Sequence, residues 1–148
     1  MHFTLFESNV SQVLSALWQD MYIYQDESQW MSYTICGDVG KRSVTFDWRI
    51  SKYQQVPEFY RFSATFYEEK PGRILVRYIE ISDKGAGATV GIEGTKNRKS
   101  EWSMRNERSK ITDMVLAVSS TYSQKQPKIT SGLAIVWDPA TLSWGTTS

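Results

Sequence analysis

The chain has 148 residues, 17 basic against 16 acidic side chains, one histidine and one cysteine. That length suffices for one domain with its own core, and 41% apolar with 14% aromatic residues excludes a disordered segment. A net charge of +1 argues against non-specific nucleic-acid binding by the whole molecule, and a single cysteine excludes an internal disulfide.

No apolar run approaches the roughly 18 to 20 residues that cross a bilayer, so no membrane span is expected. The start, MHFTLFESNV, lacks the basic and long apolar regions of a signal peptide. Either the protein is cytoplasmic, or the chain is a fragment or mature form that has lost its leader. The triplet Asn9-Val10-Ser11 is a glycosylation sequon and would suit a secreted protein. Charge is unevenly spread. Residues 1–40 carry five acids and no Lys or Arg, whereas KNRKSEWSMRNERSK, residues 96–110, carries six basic and two acidic residues.

In chain order, Val10, Val13, Leu14, Leu17, Trp18 and Met21 follow helical spacing, with Ser8 or Asn9 available as cap, so pattern alone favours a helix over 9–21. QWMSYTIC, residues 29–36, reads as a strand, and Cys36 at its end as a buried, inert thiol. In KRSVTFDWRI the inward set is Val44, Phe46, Trp48 and Ile50, alternating with Thr45, Asp47 and Arg49. In FYRFSATFYEE the inward set is Tyr60, Phe62, Ala64 and Phe66. EKPGR then joins that run to ILVRYIEIS, with Pro71 and Gly72 at the two central positions of a type II turn, so the two runs form a hairpin. Further strands are expected at 87–93 and 131–137. Residues 109–118 again carry helical spacing, in Ile111, Met114, Val115 and Val118. No repeat or linker appears, so the chain reads as one domain.

Most catalytic chemistry is short of residues. GAGATVGIEG, residues 85–94, has Gly85 and Gly87 in a G-x-G spacing. The sixth position is Val90, however, and no helix follows to receive a pyrophosphate. With His2 the only histidine, a Ser-His-Asp or Cys-His arrangement has no well-placed base, and one histidine with one cysteine cannot build a usual zinc site. Asp20, Asp26 and Glu27 offer oxygen to calcium but match no loop motif. Glu68 and Glu69 are neighbours beside a turn, point to opposite faces, and read as solubility residues rather than a glycosidase pair. No cofactor, metal or catalytic residue is expected. The aromatics Tyr22, Tyr24 and Trp30 near Asp26 and Glu27 would make a sugar-binding platform, and Trp102 in the basic segment would stack on a base or sugar. Tyr24, Trp30 and Trp102 are therefore the candidate ligand-binding residues.

The motifs Trp18-Gln19-Asp20, Phe46-Asp47-Trp48, Pro71-Gly72-Arg73-Ile74 and Ala88-Thr89-Val90-Gly91-Ile92, in that order, resemble the nidogen-like extracellular module. The likeness is closest to secreted and cell-surface proteins of fungi and bacteria, and more distant to the extracellular region of plexin-domain-containing receptors. It covers roughly residues 14–94, with SGLAIVWDPA as a closing strand. It implies an all-β, antiparallel β-sandwich of jelly-roll or lectin-like type, with one or two short helices at most. It also implies adhesion or matrix contact without catalytic residues, and favours a strand over 14–24. Strands expected upstream of the W-x-D element are missing, which points to a truncated start, and residues 95–121 read as an insertion. The function expected is a non-enzymatic module, secreted or at the cell surface, that recognises a carbohydrate or an extracellular protein. Two alternatives stay open: a carbohydrate-active hydrolase with an unidentified carboxylate pair, and an intracellular nucleic-acid binder acting through residues 96–110.

Overall fold

Alternation decides the architecture. Along Ser43–Lys52 the side chains of Trp48 and Ile50 are buried while Thr45, Asp47 and Arg49 project from the opposite face. A run of that period cannot bury its apolar face alone, so it recruits neighbours on both sides and a second sheet above. The computed structural model describes residues 2–7, 10–25, 27–98 and 114–147. Within them lie strands β1 (His2–Glu7), β2 (Val10–Trp18), β3 (Met21–Tyr22), β4 (Trp30–Cys36), β5 (Ser43–Lys52) and β6 (Gln55–Tyr67). β7 (Ile74–Ile81), β8 (Thr89–Arg98), β9 (Met114–Gln124), β10 (Ala134–Asp138) and β11 (Ser143–Thr147) follow, with no helix among the described residues.

The strands form two antiparallel sheets. The smaller runs β1-β2-β8-β9. The larger runs β11-β10-β7-β6-β5, and the far edge of β5 is shared: β3 pairs with Ser51 and Lys52, and β4 with the stretch from Ser43 to Arg49. The all-β sandwich is thus as expected. Tyr60, Phe62, Ala64 and Phe66 line its interior with Trp48, Ile74 and Val76, against Leu14, Leu17, Val90 and Ile92 from the smaller sheet. The Tyr78 hydroxyl crosses between the sheets to donate to the Ala16 carbonyl at 2.6 Å.

Both stretches with helical spacing are strand where they are described. In β2 the physical reason is a bulge. Pairing with β8 passes from Ser15↔Gly91 to Trp18↔Thr89, one residue longer on β2. The extra residue lets Leu14 and Leu17, three apart, both face the core and so imitates a helical repeat. Residues 114–118 belong to β9, held by ten antiparallel pairs to β8 that run out to Arg98↔Met114. The outer parts of the segment read as an insertion, 95–98 and 114–121, therefore lie in paired strands. Asn9 and residues 99–113 lie outside the described residues. His2 opens β1, a strand preceding the W-x-D element, and pairs with Ser15.

The Pro-Gly hairpin forms as expected: Gly72 takes φ +80° and the Arg73 N–H donates to the Lys70 carbonyl at 3.0 Å. GAGATVGIEG is a turn followed by β8. A Cβ on Gly85 would meet the Ile129 side chain at 2.9 Å, and one on Gly91 would meet the Ser120 carbonyl oxygen at 2.9 Å, so both glycines serve close approach. Two sequence expectations need correction. Cys36 is exposed, because β4 is an edge strand and Cys36 stands at its end. Glu68 is a structural clamp: its Oε2 accepts from the Gly40 and Arg42 N–H groups at 2.9 and 3.0 Å, and its Oε1 from Arg42 Nη2 at 2.8 Å, closing the β4–β5 hairpin.

Beyond β5 the larger sheet overhangs. Met31, Tyr33 and Ile35 pair with Trp48, Phe46 and Val44 on the inward face, yet are 48, 66 and 59% exposed. The alternation of β4 is that of a buried strand, but its position leaves those side chains at the rim.

Candidate ligand-binding site

One end of the larger sheet gathers the aromatic side chains that the core does not use. The Tyr22↔Ser51 pair sets Tyr22 on the outer face, the same face as Asp47 and Arg49. Tyr24 lies in the loop that leads back to β4. Tyr53 and Gln54 form the β5–β6 turn, where Gln54 takes φ +59°. These residues, with Ile23, Gln25 and Val56, line an open groove of about 830 Å³. The Tyr22 ring lies 4.8 Å from that of Tyr24 and 5.8 Å from that of Tyr53, centroid to centroid, and each pair is tilted by 59°.

Hydrogen bonds hold the groove in shape. The Gln54 N–H donates to the Tyr24 hydroxyl oxygen at 2.7 Å, and the Tyr24 N–H donates to Gln29 Oε1 at 2.8 Å. Gln29 Nε2 donates in turn to the buried Ser51 hydroxyl at 2.7 Å, which donates to the Val56 carbonyl at 2.9 Å. The Tyr53 N–H donates to the Asp20 carbonyl at 2.9 Å, tying the turn to the W-x-D element. Tyr24 is therefore held at both its backbone and its hydroxyl. Among the described residues the lining supplies rings, amides and hydroxyls, with no carboxylate, imidazole or thiol.

Of the residues expected from sequence, Tyr24 lines the groove and Trp30 does not. Trp30 opens β4 on the same outer face, paired with Arg49, two residues along β5 from the partner of Tyr22. That separation is about 7 Å. The guanidinium of Arg61 lies 6.0 Å from the Trp30 ring centroid, and that of Arg49 lies 5.1 Å from the Phe59 centroid. Burial raises the carboxyl of Asp47 above its usual range, against the pull of Arg61. Trp102 lies outside the described residues, as does most of the basic segment. Tyr53, Gln54 and Gln29 were not singled out from sequence. The one signal for Tyr53 and Gln54 is their place where the alternation of β5 stops and that of β6 has not begun, at the tip of a hairpin. At the opposite end of the sheet Lys41, Arg42, Tyr67, Glu69, Lys70 and Arg73 line a smaller hollow of about 330 Å³. Among the described residues no group of three or more His, Cys, Asp or Glu gathers in a way that would hold a metal ion. No helix there is long and apolar enough to cross a membrane.

Two antiparallel sheets packed face to face, with a tyrosine-lined groove on the outer edge of the larger, define a β-sandwich module. The family model described as NIDO related matches residues 3–139, most of the chain, and the chain belongs to this nidogen-related family, whose domains are typically extracellular. No curated protein and no solved structure matched the chain.

Proposed function

We propose that the chain is a non-catalytic extracellular recognition and adhesion module, secreted or at the cell surface, that binds a carbohydrate through the groove of Tyr22, Tyr24 and Tyr53. The observation that carries this reading is the way Gln54 and Gln29 fix Tyr24 from two sides beside two further tyrosines. Tilted aromatic faces bind the apolar face of a pyranose, while amide and hydroxyl groups at their margin bind its hydroxyls. Fixing the rings before the ligand arrives lowers the ordering cost of binding. Membership of a family whose domains are typically extracellular supports the setting. An extracellular protein presenting a polar, aromatic patch is the other partner that such a groove fits.

A glycan array probed with the intact chain and with a Tyr22→Ala/Tyr24→Ala variant tests the proposal, alongside pull-down from matrix extracts. The expected result is a discrete set of glycans bound by the chain and lost in the variant. Glycan signals that persist in the variant, or turnover of a glycan by the purified chain, would overturn it.

A further inference from the structure

Next to the groove lies a charged arrangement with no structural explanation. The registers of β4, β5, β6 and β7 place Trp30, Arg49, Arg61 and Glu80 in one row across the outer face. Arg49 and Arg61 are directly opposed, and like charges opposed across antiparallel strands destabilise a sheet. Asp47 offsets that repulsion only in part, through its attraction to Arg61. Among the described residues the only ion pair within 4 Å is Arg42 with Glu68, so Glu80, directly opposite Arg61, does not neutralise it. Asp47 lies one row away, and its Oδ1 is buried without a hydrogen-bond partner. The Nε atoms of both arginines are likewise buried and unpartnered. Two cationic side chains and one acid in a small area, each with a buried polar atom that has no hydrogen-bond partner among the described residues, are rare in a folded protein and call for a ligand or a function.

We infer that this row binds the carboxylate or sulfate of an acidic saccharide, held between the guanidinium groups of Arg49 and Arg61, with the sugar ring running over Trp30 towards the tyrosine groove. The inference rests on the reading of the outer face as a glycan-binding surface, and adds the charge of the ligand. The guanidinium groups are held in place by aromatic rings, Arg49 over Phe59 and Arg61 over Trp30. A planar fork of donors, fixed in position, matches the oxygens of a carboxylate or sulfate two at a time. The same face continues from the arginines through Ser32 and Thr34, exposed hydroxyl side chains suited to sugar hydroxyls, while Ser63 and Thr65 beyond them are buried. An acidic peptide needs only the charge. Aromatic planes and a hydroxyl lane beside that charge select a saccharide.

The test is calorimetric titration of the intact chain with four probes: a sulfated heparin hexasaccharide, a hexagalacturonate, neutral cellohexaose and a poly-glutamate peptide. Each is repeated with Arg49→Gln/Arg61→Gln, Arg49→Lys/Arg61→Lys and Tyr24→Ala. One of the acidic saccharides binds at least about tenfold tighter than cellohexaose, and the glutamine pair removes that difference. The lysine pair keeps the charge and guards against misfolding, and it recovers only part of the affinity because it lacks the fork. Preference for the hexagalacturonate identifies a carboxylate ligand, and preference for the heparin hexasaccharide a sulfate ligand. Equal affinity of poly-glutamate and the acidic saccharides, or acidic-saccharide affinity unchanged in the glutamine pair, overturns the inference. Cellohexaose binding as tight as that of both acidic saccharides, dependent on Tyr24 and not on the arginines, overturns the anionic ligand and leaves the glycan reading standing. No binding of any saccharide removes both.

Discussion

Replacing Tyr78 by Phe isolates the bond that ties the two sheets. The ring remains, so no cavity opens, and the loss is confined to one hydroxyl that donates to the Ala16 carbonyl at 2.6 Å. Ala16 stands at the β2 bulge, outside the described registers with β1 and β8, and is 4% exposed, so among the described residues no strand partner replaces the donor, and water is kept out. A buried acceptor left without its partner costs about 1–3 kcal/mol, and the central value of about 2 kcal/mol is the one expected here. For a domain of this size that lowers the melting temperature by about 4–8 °C. Burial pushes the Tyr78 phenol well above its ordinary pKa, so the donor stays protonated and the loss is the same across the neutral range. The assay is urea unfolding followed by tryptophan fluorescence. Tyr33→Phe serves as the control, because Tyr33 is 66% exposed, and removing its hydroxyl costs less than about 1 kcal/mol. The reasoning fails if Tyr78→Phe is no more destabilising than Tyr33→Phe.

Two further perturbations test the close contacts. Gly91→Ala places a methyl 2.9 Å from the Ser120 carbonyl oxygen and 3.2 Å from the Thr121 Cα, both backbone, and lowers stability by about 1–3 kcal/mol in the same assay. Gly145→Ala, with open space around its Cβ, is neutral or mildly stabilising. The Glu68 clamp makes a pH prediction. Hydrogen bonds from the Arg42 side chain, then from backbone N–H groups, hold its carboxyl down at about 2. A lowered folded pKa means that the stabilisation is full above the ordinary carboxylate range and is lost as pH falls through about 2. Amide exchange at Gly40 and Arg42, corrected for intrinsic rates, is therefore protected at pH of about 4 and exposed near 2, and Glu68→Gln loses the protection at every pH. Protection already lost at the ordinary carboxylate pKa would contradict the clamp.

The larger sheet was legible because β5 and β6 alternate without interruption and the turn between β6 and β7 carries Pro and Gly in the order its geometry requires. The smaller sheet was not, since the bulge in β2 sets Leu14 and Leu17 at a helical interval. A bulge is a property of the pairing between two strands, which one strand's sequence does not reveal. Cys36 and Ile35 mislead in a related way: a strand pattern shows which face a residue takes, and only the topology shows whether anything covers that face. Within the site, Tyr24 was accessible as an aromatic among polar loop residues. Gln29, Ser51 and Gln54 were not, because their role is to hold Tyr24 across 5 to 30 residues of sequence. The opposed arginines depend on the β5–β6 register, in which Arg49 meets Arg61 and not its neighbours.

The most direct test of the binding surface is an amide NMR titration of the labelled chain with the tightest-binding saccharide from the array. Shift changes confined to Tyr22, Tyr24, Trp30, Arg49, Tyr53, Phe59 and Arg61 are the predicted result. Changes confined to the smaller sheet, with those residues unmoved, would contradict it.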